Sequence, residues 1–261
     1  MKSETVSMIK QADIEFQSNL YQSKNPTRRW IHQERQAWVL QNIYDYSLPD
    51  SKVLEVGTGC GIYTTKIANW FSDITTLDVN SEFVDSAKSK FPKIDCQVAN
   101  IETFKSAKKY DLIFMSEVLE HVSNTQDSLN TVFQHLKSSG FFILTTPNKY
   151  STTELVAKLL KFPLLALLAQ KIYGEPVDEL GHINLKTRSQ LISQLAKAGF
   201  TVVSSHNLAF YLPVIAEFGG EYGKKFLQSI ERRFRKSYLL SNFLWTQCYV
   251  LKKERASTTP L

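Results

Sequence analysis

The stretch Val53-Leu54-Glu55-Val56-Gly57-Thr58-Gly59-Cys60-Gly61-Ile62 constrains the fold of this chain more than any other. An apolar strand candidate, Lys52–Val56, empties directly into three glycines at alternate positions. Glycine lets the backbone turn tightly and lets a ligand come into contact with the main chain. A helix placed after such a turn presents unpaired N–H groups at its start. The nicotinamide fingerprint wants glycine at the first, third and sixth positions. Here the sixth is Ile62, and the glycines fall at first, third and fifth. No GK[ST] phosphate loop is present, which disfavours a nucleoside triphosphate.

Around that turn runs a strand–helix alternation. Lys52–Val56, Ile74–Asp78, Ile94–Val98, Tyr110–Met115 and Phe141–Thr146 read as strands. A helix through about Phe71, Ser81–Lys90 and Gln126–Leu136 read as the helices between them. Units of this length predict a parallel sheet covered on both faces. Gln33–Tyr46 has helical spacing, so residues 1–50 read as an N-terminal helical cap on a domain over 51–261. Leucine-rich 150–185 and the segment 211–243 read as helical lid insertions. Between and after them come a helix over Thr187–Ala198, with Ser189 near its start and Gly199 at its end, and strands Thr201–His206 and Leu244–Leu251.

Hydrophobic residues are 43% of the chain and charged residues 21%, enough apolar material for a large core. The net charge of +6 invites an anionic partner, with a basic but inert surface as the alternative. Cys60, Cys96 and Cys248 are widely spaced and form no CxxC pair, which fits a reducing compartment. The N-terminus lacks the apolar core of a signal peptide, and the most apolar run, Phe162–Ala169, is far short of the roughly 20 residues of a membrane span. The expectation is a soluble, cytoplasmic protein.

Asp78 closes the second strand about twenty residues after Gly57, where an acid can accept both hydroxyls of a ribose; a turn or helix-cap role is the alternative. Together, Glu55-Val56-Gly57-Thr58-Gly59-Cys60-Gly61 and Asp78 resemble the first motifs of class I S-adenosylmethionine-dependent methyltransferases. The resemblance covers roughly residues 50–206 and the last strand. It implies a Rossmann-like, doubly wound α/β sheet of seven strands, mostly parallel with an antiparallel last strand. It implies a cofactor site of Glu55, Gly57, Thr58, Gly59, Gly61, Asp78, Val79, Asn100 and Ser116. Asn100 stands where the family usually has Asp at its adenine contact, and an amide oxygen can still accept there; a turn residue is the alternative. In that family the helices before the first strand often close over the cofactor, with Arg28 or Arg29 as candidates to meet its carboxylate; a solvated face is the alternative.

Ser116-Glu117-Val118-Leu119-Glu120-His121 follows the fourth strand. It lacks the Asn/Asp-Pro-Pro-aromatic motif of amide N-methyltransferases and resembles the ExxEH pattern of the ubiquinone-biosynthesis O-methyltransferase subgroup. In some of those proteins Glu117, Glu120 and His121 correspond to metal ligands, which implies a possible Mg²⁺; a helix-capping glutamate and a locally packed histidine are the alternative. Glu179-Leu-Gly181-His182 resembles that subgroup's return from its lid. His182 is the first candidate for general base and His121 the second, since a histidine pKa near 6.5 suits taking a hydroxyl proton; a helix-entry histidine bonded to backbone is the alternative. The implied reaction is methyl transfer to a small or lipophilic acceptor, with oxygen favoured. Transfer to carbon or nitrogen, or a non-catalytic cofactor-binding protein, are the other readings.

Leu155–Ile172 reads either as a lid around an apolar substrate or as buried core. Residues 224–236 hold Lys224, Lys225, Arg232, Arg233, Arg235 and Lys236 against Glu231. With Phe226, Leu227, Ile230 and Phe234 they suggest either a basic amphipathic helix for peripheral membrane contact or an ordinary helix packed on the core. No recognition motif accompanies the charge, so nucleic acid is not expected as a partner.

Overall fold

The computed structural model describes residues 17–159 and 184–253. His182 and most of the first lid segment lie outside the described residues.

Helix α1 (Pro26–Asp45) starts earlier than the apolar spacing predicts. Asn25 caps it by accepting from the N–H groups of Thr27 and Arg28, and Pro26 fits the first turn. Ile31, Val39 and Ile43 form its buried face. The strands are β1 (Lys52–Val56), β2 (Asp73–Asp78), β3 (Asp95–Val98), β4 (Tyr110–Ser116), β5 (Leu136–Pro147), β6 (Phe200–Leu208) and β7 (Thr246–Lys253). They form one sheet in the order β3-β2-β1-β4-β5-β7-β6. Strands β1 to β5 pair in parallel, and β7 runs antiparallel to both β5 and β6.

The order reverses between β1 and β4, which places a crevice at their carboxyl ends. Val56 pairs with Leu77 and with Met115, so the three strand ends lie level. Side chains alternate across the sheet. Leu54 and Val56 enter one core cluster with Leu129 and Val132 of α4 (Thr125–His135) and Leu191 and Leu195 of α6 (Arg188–Lys197). Val53 enters the other, with Val39 and Ile43 of α1, Tyr63 and Ile67. Glu55 shares the face of Val53 and therefore points behind the glycine turn.

The helix after that turn, α2 (Thr64–Ile67), is four residues long rather than reaching Phe71. Beyond it the chain goes on in helical turns, and Phe71 N–H donates to the Ile67 carbonyl at 3.2 Å. Thr64 Oγ1 is drawn to Glu55, and Thr65 Oγ1 donates back to the Gly61 carbonyl at 2.7 Å. Helix α3 (Ser81–Lys90) is capped by Asn80, which accepts from Glu82 N–H. Helix α5 (Thr152–Leu159) follows β5. Helix α6 begins with a capping box of Thr187 and Gln190, so Thr187 rather than Ser189 sets its start. The second insertion folds as α7 (Pro213–Phe218), α8 (Gly220–Phe234) and a 3₁₀ turn over Leu240–Phe243. No helix among the described residues is long and apolar enough to cross a membrane.

Candidate active site

A cavity of about 650 Å³ opens at the carboxyl ends of β1, β2 and β4. Its size falls within the ~300–1,000 Å³ usual for small-molecule sites. Gly57, Thr58, Gly59, Asp78, Val79, Asn100, Ser116, Glu117 and His121 line it; Glu55, Gly61 and Glu120 do not.

The glycine turn is held from every side. Gly57 and Thr58 N–H donate to the Leu77 carbonyl at 2.7 and 3.1 Å, and Gly61 N–H to the Thr58 carbonyl at 3.0 Å. Gly59 N–H donates to Asp78 Oδ2 at 2.9 Å and Cys60 N–H to Gln17 Oε1 at 3.2 Å. The turn thus offers close approach to its backbone rather than a set of free donors. Gly57 has φ +85°, and a Cβ there would lie 2.2 Å from Val118 Cγ2. Only glycine meets both conditions.

Behind the turn, Glu55 is fully buried and accepts from Thr64 Oγ1 at 2.6 Å. Burial pushes its pKa up to about 8; the Thr64 hydroxyl pulls it back and Asp78 adds to the rise. Asp78 Oδ1 accepts from Asn80 N–H at 2.9 Å. Each of its oxygens therefore keeps acceptor capacity toward the cavity. Asn80, not Asp78, caps α3. Leu77, Val79, Phe83, Ala99 and Ile101 give this half of the cavity apolar walls. Asn100 Oδ1 already accepts from Glu102 N–H at 2.9 Å, which leaves its second lone pair and its amide N–H groups.

The other half is polar, and sequence reasoning missed its centre. Arg35 of α1 reaches the cavity, and its Nη1 lies 3.1 Å from Glu117 Oε2. Burial lowers the guanidinium pKa, but Glu117 and the nearby tyrosines outweigh it, and the net shift is well upward. Arg35 Nη2 also donates to Tyr21 OH at 3.3 Å and to His32 Nδ1 at 3.2 Å. Burial, then Arg35 and Arg28, depress His32 to about 3, so its ring is neutral and Nδ1 accepts. Glu117 sits at φ +56°, and its Oε1 accepts from Thr145 Oγ1 at 3.0 Å. Ser116 Oγ lies 2.9 Å from Thr145 Oγ1 and 3.0 Å from Tyr63 OH. Arg28 and Arg29 turn elsewhere, to Glu217 and Glu221. The available signal was spacing: Ile31, Arg35 and Val39 recur every four residues, on one buried face.

The ExxEH side chains do not fit a divalent ion. Glu117 is taken by a guanidinium and a hydroxyl. Glu120 is buried and accepts from Thr146 Oγ1 at 3.0 Å. Burial, then Glu117, raises its pKa well above the usual carboxylate range. The His121 side chain is 47% exposed, with Nε2 3.9 Å from Glu120 Oε1. Among the described residues no three metal-ligating side chains come together. Next to Glu120, Asn184 N–H donates to its carbonyl at 3.0 Å, which anchors the chain returning from the first insertion.

A family profile described as "Methyltransferase domain" matches residues 27–205. The ubiquinone biosynthesis O-methyltransferase of Rickettsia canadensis is 31% identical over 125 residues, 46% of this chain and 53% of that protein. Malonyl-[acyl-carrier protein] O-methyltransferase 2 of Ilyobacter polytropus is 32% identical over 108 residues, 40% of this chain and 42% of that protein. The match spans about half the length of each relative. Among solved structures, the N-methyltransferase NodS of Bradyrhizobium japonicum, in complex with S-adenosyl-L-homocysteine, superposes with a TM-score of 0.58 at 14% identity. That alignment covers 95% of this chain and 98% of NodS, and at such identity it speaks for the fold.

Proposed function

The chain belongs to the methyltransferase-domain family, and on that premise we propose that it transfers the methyl group of S-adenosylmethionine to a hydroxyl of a small or lipophilic acceptor. The observation that carries the reading is the divided cavity at the switch point, with Asp78 and apolar walls on one side and a charged floor on the other. The residues suit that cofactor: an acid for ribose hydroxyls, apolar walls beside it, and a glycine turn whose backbone allows contact.

When bound, the cofactor supplies an already activated methyl group on a sulfonium, so the protein mainly positions the acceptor in line with it. Asp78 would hold the ribose, and Val79, Ala99 and Ile101 would enclose the base, with Asn100 at its edge. Glu117 sets a carboxylate, paired with the Arg35 guanidinium, on the cavity floor. Arg35 and Thr145 hold that carboxylate in place. Two histidines serve the acceptor hydroxyl: His182, assigned from the sequence, is the first candidate for base, and His121 at the cavity wall is the second. Oxygen as acceptor atom is supported by the names of the sequence relatives, and a small or lipophilic acceptor by the absence of the amide-recognition motif after β4.

The test is an acceptor screen with S-adenosylmethionine over phenols, quinone precursors and sugars, read by product mass. Singly O-methylated product, with kcat lowered about 100-fold or more by His182→Ala or His121→Ala at unchanged cofactor affinity, is expected. Methylation at nitrogen or carbon alone, or full activity in both variants, would overturn the assignment.

A further inference from the structure

The insertion between β6 and β7 has two unlike faces. On the inner one, Ala216 and Leu227 join Phe210 and Leu244 in a small core, backed by Trp30, Ile230 and Phe234. Three of the four apolar positions noted in the basic segment are therefore already packed. Phe226 is not. On the outer face of α8 Tyr222 and Phe226 stand four residues apart, with exposures of 88% and 53%, and Phe218 at the end of α7, before the break at Gly220, is 68% exposed. Helical spacing puts Lys225, Arg232 and Arg233 on the same side, Lys236 follows in the turn after α8, and all four are exposed. Neighbouring cations are occupied, Lys224 by Glu221 and Arg235 by Glu34 and Glu231. Among the described residues no ion pair engages these four. Tyr238 and Leu239, just beyond the helix, are exposed as well.

We propose that this outer face of α7–α8 docks on an anionic lipid bilayer. Aromatic rings raised from a helix, with cations alongside, match the headgroup level, where amphipathic side chains settle and Lys or Arg meet acidic lipid. A flat array of cations with little anionic relief complements a planar anionic surface better than the pocketed face of a protein. The insertion is also joined to the site. Asn25 Nδ2 donates to the Ala216 carbonyl at 2.9 Å, and Arg28 Nε lies 2.9 Å from Glu217 Oε1. Both residues start α1, the helix that sends Arg35 into the cavity. Docking sets the cavity one helix away from lipid; that the acceptor arrives from the bilayer rests on the methyltransferase reading, whereas docking does not.

The test is flotation of the full chain, without cofactor, on vesicles of pure phosphatidylcholine and of equal parts phosphatidylcholine and phosphatidylglycerol. Binding to the anionic vesicles alone, released at about 1 M salt, is expected. Replacing Lys225, Arg232, Arg233 and Lys236 by glutamine should weaken partitioning about fivefold per cation, on the order of several hundredfold together. Tyr222→Ser with Phe226→Ser should weaken it further, and unchanged circular dichroism and melting would show that both variants fold. Equal binding to neutral vesicles, or undiminished binding by the glutamine variant, would overturn the proposal. So would a wild-type dimer that the serine variant turns monomeric. None of these readings depends on turnover.

Discussion

Replacing Gly57 by alanine loads the turn on which the whole site is built. At φ +85° an L residue enters the left-handed region, a cost of about 1–2 kcal/mol. The new methyl lies 2.2 Å from Val118 Cγ2. Gly57 is tied by its N–H to the Leu77 carbonyl and Val118 by its carbonyl to the His121 N–H, so relief requires displacement, at about 1–3 kcal/mol for overpacking. The expected destabilisation is roughly 2–5 kcal/mol, a large share of the ~5–15 kcal/mol that holds a domain folded. Urea unfolding at constant m-value reads it directly. A second substitution separates the two parts. In the Gly57→Ala background, Val118→Ala removes the clash and leaves the backbone strain, so the double variant should exceed additivity by about 1–3 kcal/mol. A loss below about 0.5 kcal/mol for Gly57→Ala, or strict additivity of the pair, would refute the reasoning.

Glu55 is raised to about 8 by burial. An acid whose folded pKa exceeds its unfolded value stabilises fully below the unfolded value, and that stability is lost as pH rises through the folded one. Wild-type stability in urea should therefore fall between about pH 5 and pH 8, Glu55→Gln should reduce the slope, and adding Glu120→Gln should remove more of it; an unchanged slope in the double variant would sink this assignment. Arg35→Met strands the Glu117 carboxylate and should cost about 3 kcal/mol, the low end for a buried pair because Glu117 borders the cavity. Arg35→Met with Glu117→Gln should regain part of that loss in the same assay, and no regain would mean that the two do not act as a pair.

Much of the sheet was legible because its signals are local. Lys52–Val56 and Ser81–Lys90 fall where apolar run and helical spacing put them. The antiparallel last strand was expected from family resemblance, and pairing of β7 with β5 and β6 agrees. Where reading failed, a side chain had a second use invisible in spacing. Thr64 reaches back to the buried carboxylate of Glu55. Likewise, Glu117 pairs with Arg35, some eighty positions upstream, and no local pattern reports such a contact. The charge-rich α8 was ambiguous for the same reason: composition showed its stripe, and only packing showed which aromatic faces water.

The most direct measurement of the central claim is calorimetric titration of the protein and of Asp78→Ala with S-adenosylmethionine, S-adenosylhomocysteine and NAD. The account predicts that the first two bind and NAD does not. Asp78→Ala should bind about a hundredfold more weakly, as expected for losing two hydrogen bonds to a charged group at about 1.5 kcal/mol each. Failure of both adenosyl compounds to bind, or binding of NAD alone, would contradict it.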